Sequence, residues 1–217
     1  MTQEIRSAKP ARETVFIVDD DASICEGLSN LLESVGIAAE HFSSVEAFRE
    51  GWRAGSAGCL LLDARLPGMS GVEFQDQMQS AGVDLPVIFM TAHGDMPMVR
   101  KVMKAGAIEF LIKPFQKEEL LQAVEQAFAT DRARRREGEI LGSIRARIAS
   151  LSQREREVMA MVIAGMLNKQ IAADLNLSEI TVKLHRRHIM EKMQAGSLAE
   201  LVKLCERVSL ASSQKNP

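Results

Sequence analysis

The sequence predicts an α/β domain built on a parallel sheet, followed by a smaller all-α domain. Three observations carry that prediction. Short, uniformly apolar runs alternate with helix-spaced segments up to residue 130, and such bare runs fit strands buried on both faces. After residue 150 these runs give way to four helical segments, with a tight turn between the second and third. The charge also changes sign between the two parts of the chain. Residues 1–130 hold 11 Lys and Arg against 19 Asp and Glu, and residues 131–217 hold 16 against 10. Two domains with different partners follow, and the basic one is a candidate for nucleic acid.

The elements follow in order. Residues 1–12 are polar (MTQEIRSAKPAR) and are expected to be a disordered lead without a signal-peptide core. Thr14–Val18 is the first strand. A helix from about Ala22 to Ser34 carries Ile24, Leu28, Leu31 and Leu32, and Gly36 stops it. Ile37–Phe42 reads as an edge strand. Ser43-Ser44-Val45-Glu46 is expected to be a capping box opening a helix with Val45, Phe48 and Trp52 on its apolar face. Gly58–Leu62 is the third strand, followed by the turn-rich Leu66–Gly71 and a helix over Val72–Ser80. Pro86–Met90 is the fourth strand, and a helix ending at Gly106 follows. Met96, Met98 and Met103 are expected to pack. Glu109–Ile112 is the fifth strand, and a last helix starts near Gln116. This is a flavodoxin-like (βα)5 arrangement over residues 13–130.

Residues 131–150 are expected to form a helical linker. Its start is charge-rich (DRARRREGE), and Leu141, Ile144, Ile148 and Leu151 then recur at 3-4-3 spacing. That stripe fits either a linker helix docked on a neighbour or a short dimer seam. Residues 151–210 carry the four-helix domain. Ser152–Glu155 is a capping box, Gly165 ends the first helix, and Lys169–Leu175 forms the second. Asn176-Leu177 turns the chain, and Ser178 caps a third helix over Glu179–Met193. Ser197–Glu200 caps a fourth that ends near Val208, leaving 211–217 as a tail. Two helices joined by such a turn form a helix-turn-helix pattern.

No apolar stretch approaches the length of a membrane span, and a cytoplasmic protein with no membrane partner is expected. Cys25, Cys59 and Cys205 have no metal-ligand spacing and read as reduced packing residues.

The chemistry gathers at the strand ends. Asp19-Asp20, Asp63, Thr91 and Lys113 each lie at or just past the C-terminal end of a different predicted strand, where open α/β sheets bind ligands. Three carboxylates brought together repel unless they are protonated or share a cation. Mg²⁺ suits such oxygen donors. Lys113 adds a fixed positive charge and Thr91 a hydroxyl, the parts that phosphoryl transfer needs. Asp21 reads as a helix cap, and His41 and His93 as surface or loop residues.

The DD pair, LLDARLPGMSG, MTAHG and KPF segments, with spacings of 43, 28 and 22 positions between Asp20, Asp63, Thr91 and Lys113, resemble a response-regulator receiver domain. The resemblance implies that Asp63 is the phosphoacceptor and that Thr91 and Lys113 serve the phosphoryl group. It implies Mg²⁺ on Asp20, Asp63 and the backbone carbonyl of Arg65, with Asp19 acting through water. Thr91 and Phe110 take the switch positions. Phe110 stands where many members have Tyr, so its switch works by packing without a hydroxyl bond.

In the third helix of the basic domain, Val182, Ile189 and Met193 fall on one face and are expected inside. Lys183, Leu184 and Arg187 share the opposite face, where cations can meet guanine or phosphate and a leucine a thymine methyl. Lys169 and Arg186 are candidate phosphate contacts. The segment LSQREREVMAMVIAGMLNKQIAADLNLSEITVKLHRRHIMEKM resembles the LuxR/NarL helix-turn-helix. The chain as a whole resembles FixJ/NarL-type response regulators, near the StyR/TodT-like members that control aromatic-hydrocarbon catabolism. That implies a sensor histidine kinase as donor, homodimerisation on phosphorylation, promoter DNA as ligand and RNA polymerase as a further partner. It implies no enzyme beyond assistance to its own phosphorylation and dephosphorylation. Two other readings differ in class. A haloacid-dehalogenase-type phosphatase would need a second acid where Arg65 stands. A sigma-like adaptor that contacts polymerase without phosphorylation control would not need the acidic pocket.

Overall fold

The computed structural model describes residues 12–78, 80–92 and 96–213, leaving aside the side chains of residues 212 and 213. Most of the expected lead, most of the expected tail and His93 lie outside the described residues. Two compact units divide the chain, one ending at Arg134 and the other starting at Arg135.

The first unit is an all-parallel sheet in the order β2-β1-β3-β4-β5. Its strands are β1 (Thr14–Val18), β2 (Ala38–Phe42), β3 (Gly58–Asp63), β4 (Val87–Thr91) and β5 (Glu109–Ile112). They alternate with α1 (Ala22–Ser34), α2 (Val45–Gly51), α3 (Gly71–Gln77) and α4 (Met96–Lys104), and α5 (Lys117–Ala149) follows β5. Side chains alternate across a strand, so the sheet builds two cores. Phe16, Val18, Leu60, Leu62 and Phe89 face one layer with Phe48, Phe74 and Val102. Val15, Ile17, Leu61, Ile88 and Met90 face the other with Leu28, Leu32, Leu120 and Val124. Both faces of β1, β3 and β4 are therefore dry, which is why those runs lack polar alternation.

The expected helix borders shift in places. The cap of α2 is Ser44, whose Oγ accepts from Ala47 N–H at 3.2 Å. No acid sits three residues after Ser44, so the expected Ser43–Glu46 box does not form. A full capping box instead joins Ser70 to Glu73 at the start of α3. Pro97 falls inside the first turn of α4, where its missing N–H costs nothing. Of the three methionines expected to pack, Met98 does, while Met96 and Met103 are 69% and 41% exposed. Burial holds the Cys25 and Cys59 thiols above their usual pKa, which fits inert packing residues.

Helix α5 runs unbroken for 33 residues. Its first half carries Leu120, Ala123, Val124, Ala127 and Phe128 into the core of the first unit. Its last turns carry Ile140, Ile144 and Ile148 into the core of the second. The stripe read from the sequence is thus covered by its own chain at Ile144, which is 2% exposed.

The second unit completes its core with α6 (Gln153–Ile163), α7 (Asn168–Leu175), α8 (Glu179–Met193) and α9 (Leu198–Ser213). Helix α9 continues past Leu210, beyond the expected end. Asn176 adopts the left-handed conformation (φ 52°, ψ 51°) between α7 and α8, a geometry asparagine tolerates better than most residues. Val182, Ile189 and Met193 are at most 1% exposed. Glu155 completes the capping box of α6 and also accepts from Lys192 Nζ at 2.6 Å. The last turn of α8 is further held by Arg147, which donates to Met193 O at 3.1 Å.

Candidate functional site: an acidic pocket and a basic helix face

Strand register alone brings the pocket together. Val18 pairs with Leu62, so the next residues, Asp19 and Asp63, are neighbours. Asp63 pairs with Met90, and Thr91 with Ile112. Thr91 and Lys113 then close the row, and Lys113 N–H donates to Thr91 O at 2.8 Å. Four strands thus deliver their polar residues to one rim, as the sequence implied. Asp19, Asp63 and Thr91 are buried while Asp20 is exposed.

Carboxylate oxygens of Asp19, Asp20 and Asp63 lie within 4.8 Å of one another. Lys113 Nζ bridges two of them, donating to Asp19 Oδ2 at 2.5 Å and Asp63 Oδ2 at 2.7 Å. Backbone amides take the opposite oxygens: Asp21 N–H donates to Asp19 Oδ1 at 3.0 Å and Arg65 N–H to Asp63 Oδ1 at 2.8 Å. Burial pushes the Asp63 carboxyl above its usual pKa, and the charge of Asp19 adds to this. The Arg65 amide and Lys113 pull against it without cancelling it. Burial by itself would lower the Lys113 pKa, but its bonds to Asp19 and Asp63 outweigh that and raise it. One ammonium faces three carboxylates, which leaves net negative charge in a partly dry site. Hard oxygen donors with excess negative charge are what Mg²⁺ takes.

The surroundings hold this geometry. Asp21 caps α1, its side chain accepting from Ser23 and Ile24 N–H, so it stays out of the cluster. Gly71 opens α3 against the pocket's floor. A Cβ there would lie 2.2 Å from Asp63 O, so only glycine lets α3 start this close to the acid. Phe110 is half-buried on β5 and packs at the edge of the first core layer.

The second region is a face of α8. Lys183 and Arg187 are exposed, and Leu184 is 49% exposed. Arg187 Nε pairs with Glu191 Oε1 at 2.8 Å. Lys169 is exposed in the first turn of α7. Arg186 differs from the others. It is half-buried, and its Nη1 donates to Asn168 Oδ1 at 3.0 Å, tying α8 to the start of α7. One exposed apolar residue on this face went unnoticed in the sequence: Ile180, 79% exposed.

Among the described residues no helix is long and apolar enough to cross a membrane. Residues 15–125 match the family described as the response regulator receiver domain, and residues 149–205 match the luxR family of bacterial regulatory proteins. Nodulation protein W of Bradyrhizobium diazoefficiens is 42% identical over 92% of this chain and 88% of its own. The response regulator protein TodT of Pseudomonas putida is 41% identical over 94% of this chain and 90% of its own. The solved structure of the response regulator StyR is 48% identical, with a TM-score of 0.80, and covers 91% of this chain and 100% of its own. Pocket and helix face thus sit in the two modules of a single family, and the chain belongs to the two-component response regulators that carry a LuxR-type DNA-binding domain and regulate transcription.

Proposed function

We propose that this regulator is switched by transfer of a phosphoryl group to Asp63 from a phosphohistidine of a sensor kinase. The observation that carries the proposal is the three-carboxylate cluster bridged by Lys113 at the strand ends. Asp19, Asp20 and Asp63, with the backbone carbonyl of Arg65, would hold Mg²⁺. That ion supplies charge neutralisation for the phosphoryl oxygens.

The protein's part is positioning. A lone pair on a carboxylate oxygen of Asp63 attacks phosphorus as the P–N bond to imidazole breaks, and the imidazole leaves with the bonding pair. Arg65 N–H holds the carboxylate in place. Lys113, which bridges Asp19 and Asp63, is placed to turn from Asp63 to a phosphoryl oxygen. The hydroxyl of Thr91 is the second donor, and Phe110 repacks with it as the switch. Phosphorylation then promotes homodimerisation, which pairs two α8 faces on half-sites of promoter DNA. Lys183, Leu184 and Arg187 face the bases, while Lys169 anchors phosphate. Arg186 reaches phosphate only by leaving Asn168. Action on transcription implies RNA polymerase as a further partner and the cytoplasm as the place of work.

The test is incubation with acetyl phosphate and Mg²⁺. The chain should gain about 80 Da, the mass of one phosphoryl group, and protect discrete genomic sites in footprints. Asp63→Asn should show neither. Undiminished labelling of that variant would remove Asp63 from the acceptor role.

A further inference from the structure

Ile180 occupies the second position of α8 and is 79% exposed, more than any other large apolar side chain among the described residues. It belongs to no hydrophobic cluster among the described residues. Successive helix residues are about 100° apart, which places Ile180 on the same arc as Lys183, Leu184, Arg187 and Glu191. All five are exposed, while Val182, Ile189 and Met193 fill the opposite, buried arc. Ile180 and Leu184, four residues apart, form an apolar strip toward one edge of this face. Lys183 and Arg187 both lie on the other side of it.

An exposed β-branched residue does not favour a helix, so Ile180 is not there for α8 itself. A strip of two aliphatic side chains beside two cations complements a groove with methyl groups on its floor and phosphates along its wall. In helix-turn-helix proteins the N-terminal residues of the second helix meet base edges, and Ile180 lies in that first turn. The only apolar group a base pair offers in the major groove is the thymine C5-methyl.

Resting on the DNA-reading function proposed above, we propose that Ile180 is a specificity-determining residue that reads a thymine methyl in each half-site. Leu184 extends the same apolar contact by one helical turn.

The experiment uses the full chain treated with acetyl phosphate and Mg²⁺. Its sites are selected from a pool of duplexes with a randomised centre. In the selected duplex each thymine is then replaced singly by deoxyuridine, which lacks only the methyl. At one thymine per half-site the wild-type chain should lose about fourfold in affinity, the worth of one buried methyl. Ile180→Ala should bind the thymine duplex more weakly by at least that factor and be indifferent to deoxyuridine at that position. Its binding to random duplex and its melting should match wild type, since the side chain supports no packing. A consensus whose deoxyuridine series is the same for wild type and Ile180→Ala overturns the inference and leaves DNA reading intact. A pool that yields no consensus overturns DNA reading, and the inference with it.

Discussion

Strand β3 holds a buried carboxylate at each end, and the two ends treat it differently. At the start, Asp131 of α5 is fully buried and accepts from Gly58 N–H at 3.1 Å and from Arg134 at 2.5 Å. Arg134 also pairs with Asp84. There a backbone donor and a guanidinium answer the buried acid, with the second acid at the surface. Gly58 (φ 142°) must be glycine, because a Cβ would strike Thr14 O. At the far end, Asp63 shares one lysine with Asp19, and Asp20 adds a third charge. The lesson is one of local balance. A buried acid whose partners match it stabilises the fold, and one left in excess stores unfavourable charge that a ligand can relieve.

Breaking the balanced end should give the largest effect. Asp131→Ala strips the acceptor from a buried amide and leaves Arg134 its pair with the exposed Asp84. A loss of about 3 kcal/mol in urea unfolding is expected. Trp52, the chain's one tryptophan, belongs to the receiver unit and reports that transition by fluorescence. A change below the scatter of surface substitutions would show that Asp131 is a bystander.

A second balanced acid, in the DNA-binding unit, makes the comparison pH-dependent. Glu155 is 4% exposed, and its bond from Lys192, then that from Ser152 N–H, hold its pKa down at about 2 against the usual 4.5. A depressed acid contributes stability that is complete above 4.5 and is lost as the pH falls toward 2. Lys192 is 41% exposed, so the contribution is on the order of 2 kcal/mol after screening. Helical circular dichroism should report an acid transition that Glu155→Gln lacks. The same acid profile for both chains would remove Glu155 from that role.

The sequence disclosed these acids unequally. Asp19, Asp20 and Asp63 were legible because each follows an apolar run whose end is a strand end, and parallel pairing brings strand ends together. The two-sided burial of β1, β3 and β4 was legible for the same reason. Asp131 was not, because it opens the run DRARRREGE, which looks like a solvated helix face. Its partner Gly58 is 73 positions away, and no local pattern records that meeting. Ser70–Glu73 does have the local S-x-x-E signature, but it is embedded in a segment whose Pro, Gly and Ser residues equally fit a turn. Helix α5 runs on through Gly138 and Gly142, whose helix cost is met by apolar packing on both sides of them. Ile180 stood in an ordinary helix-spaced pattern, and only its exposure set it apart.

The unbalanced end should respond with the opposite sign. Asp63→Asn in chelator removes one of the mutually repelling charges and should raise the receiver's melting point. The gain is about 1 kcal/mol, from the Coulomb energy of one pair at this spacing. The raised pKa of Asp63, from burial and then Asp19, points the same way, because the folded state resists the ionised form more than the unfolded chain does. Mg²⁺ in place of chelator should stabilise wild type more than Asp63→Asn and narrow or invert their order. A variant less stable than wild type in chelator would mean that the bond from Lys113 outweighs the repulsion, and the pocket would then count as balanced.

The smallest effect on stability is expected where a matched pair lies in water. Arg187 and Glu191 pair on the exposed face of α8, where such pairs add little to folding. Glu191→Gln should therefore leave melting unchanged. Its consequence lies in binding. Glu191 keeps Arg187 partly neutralised and places a negative charge on the face proposed to meet DNA. Removing that charge should raise affinity for random-sequence duplex a few-fold at low salt, with the gain shrinking as the Debye length falls below about 8 Å. Affinity for a selected site should rise less in proportion, so the ratio of specific to random binding should fall. The measurement is a salt series on both duplexes. An unchanged random-duplex affinity at low salt would mean that this arc of α8 lies outside the field of the phosphates, and the helix would have to dock through another face.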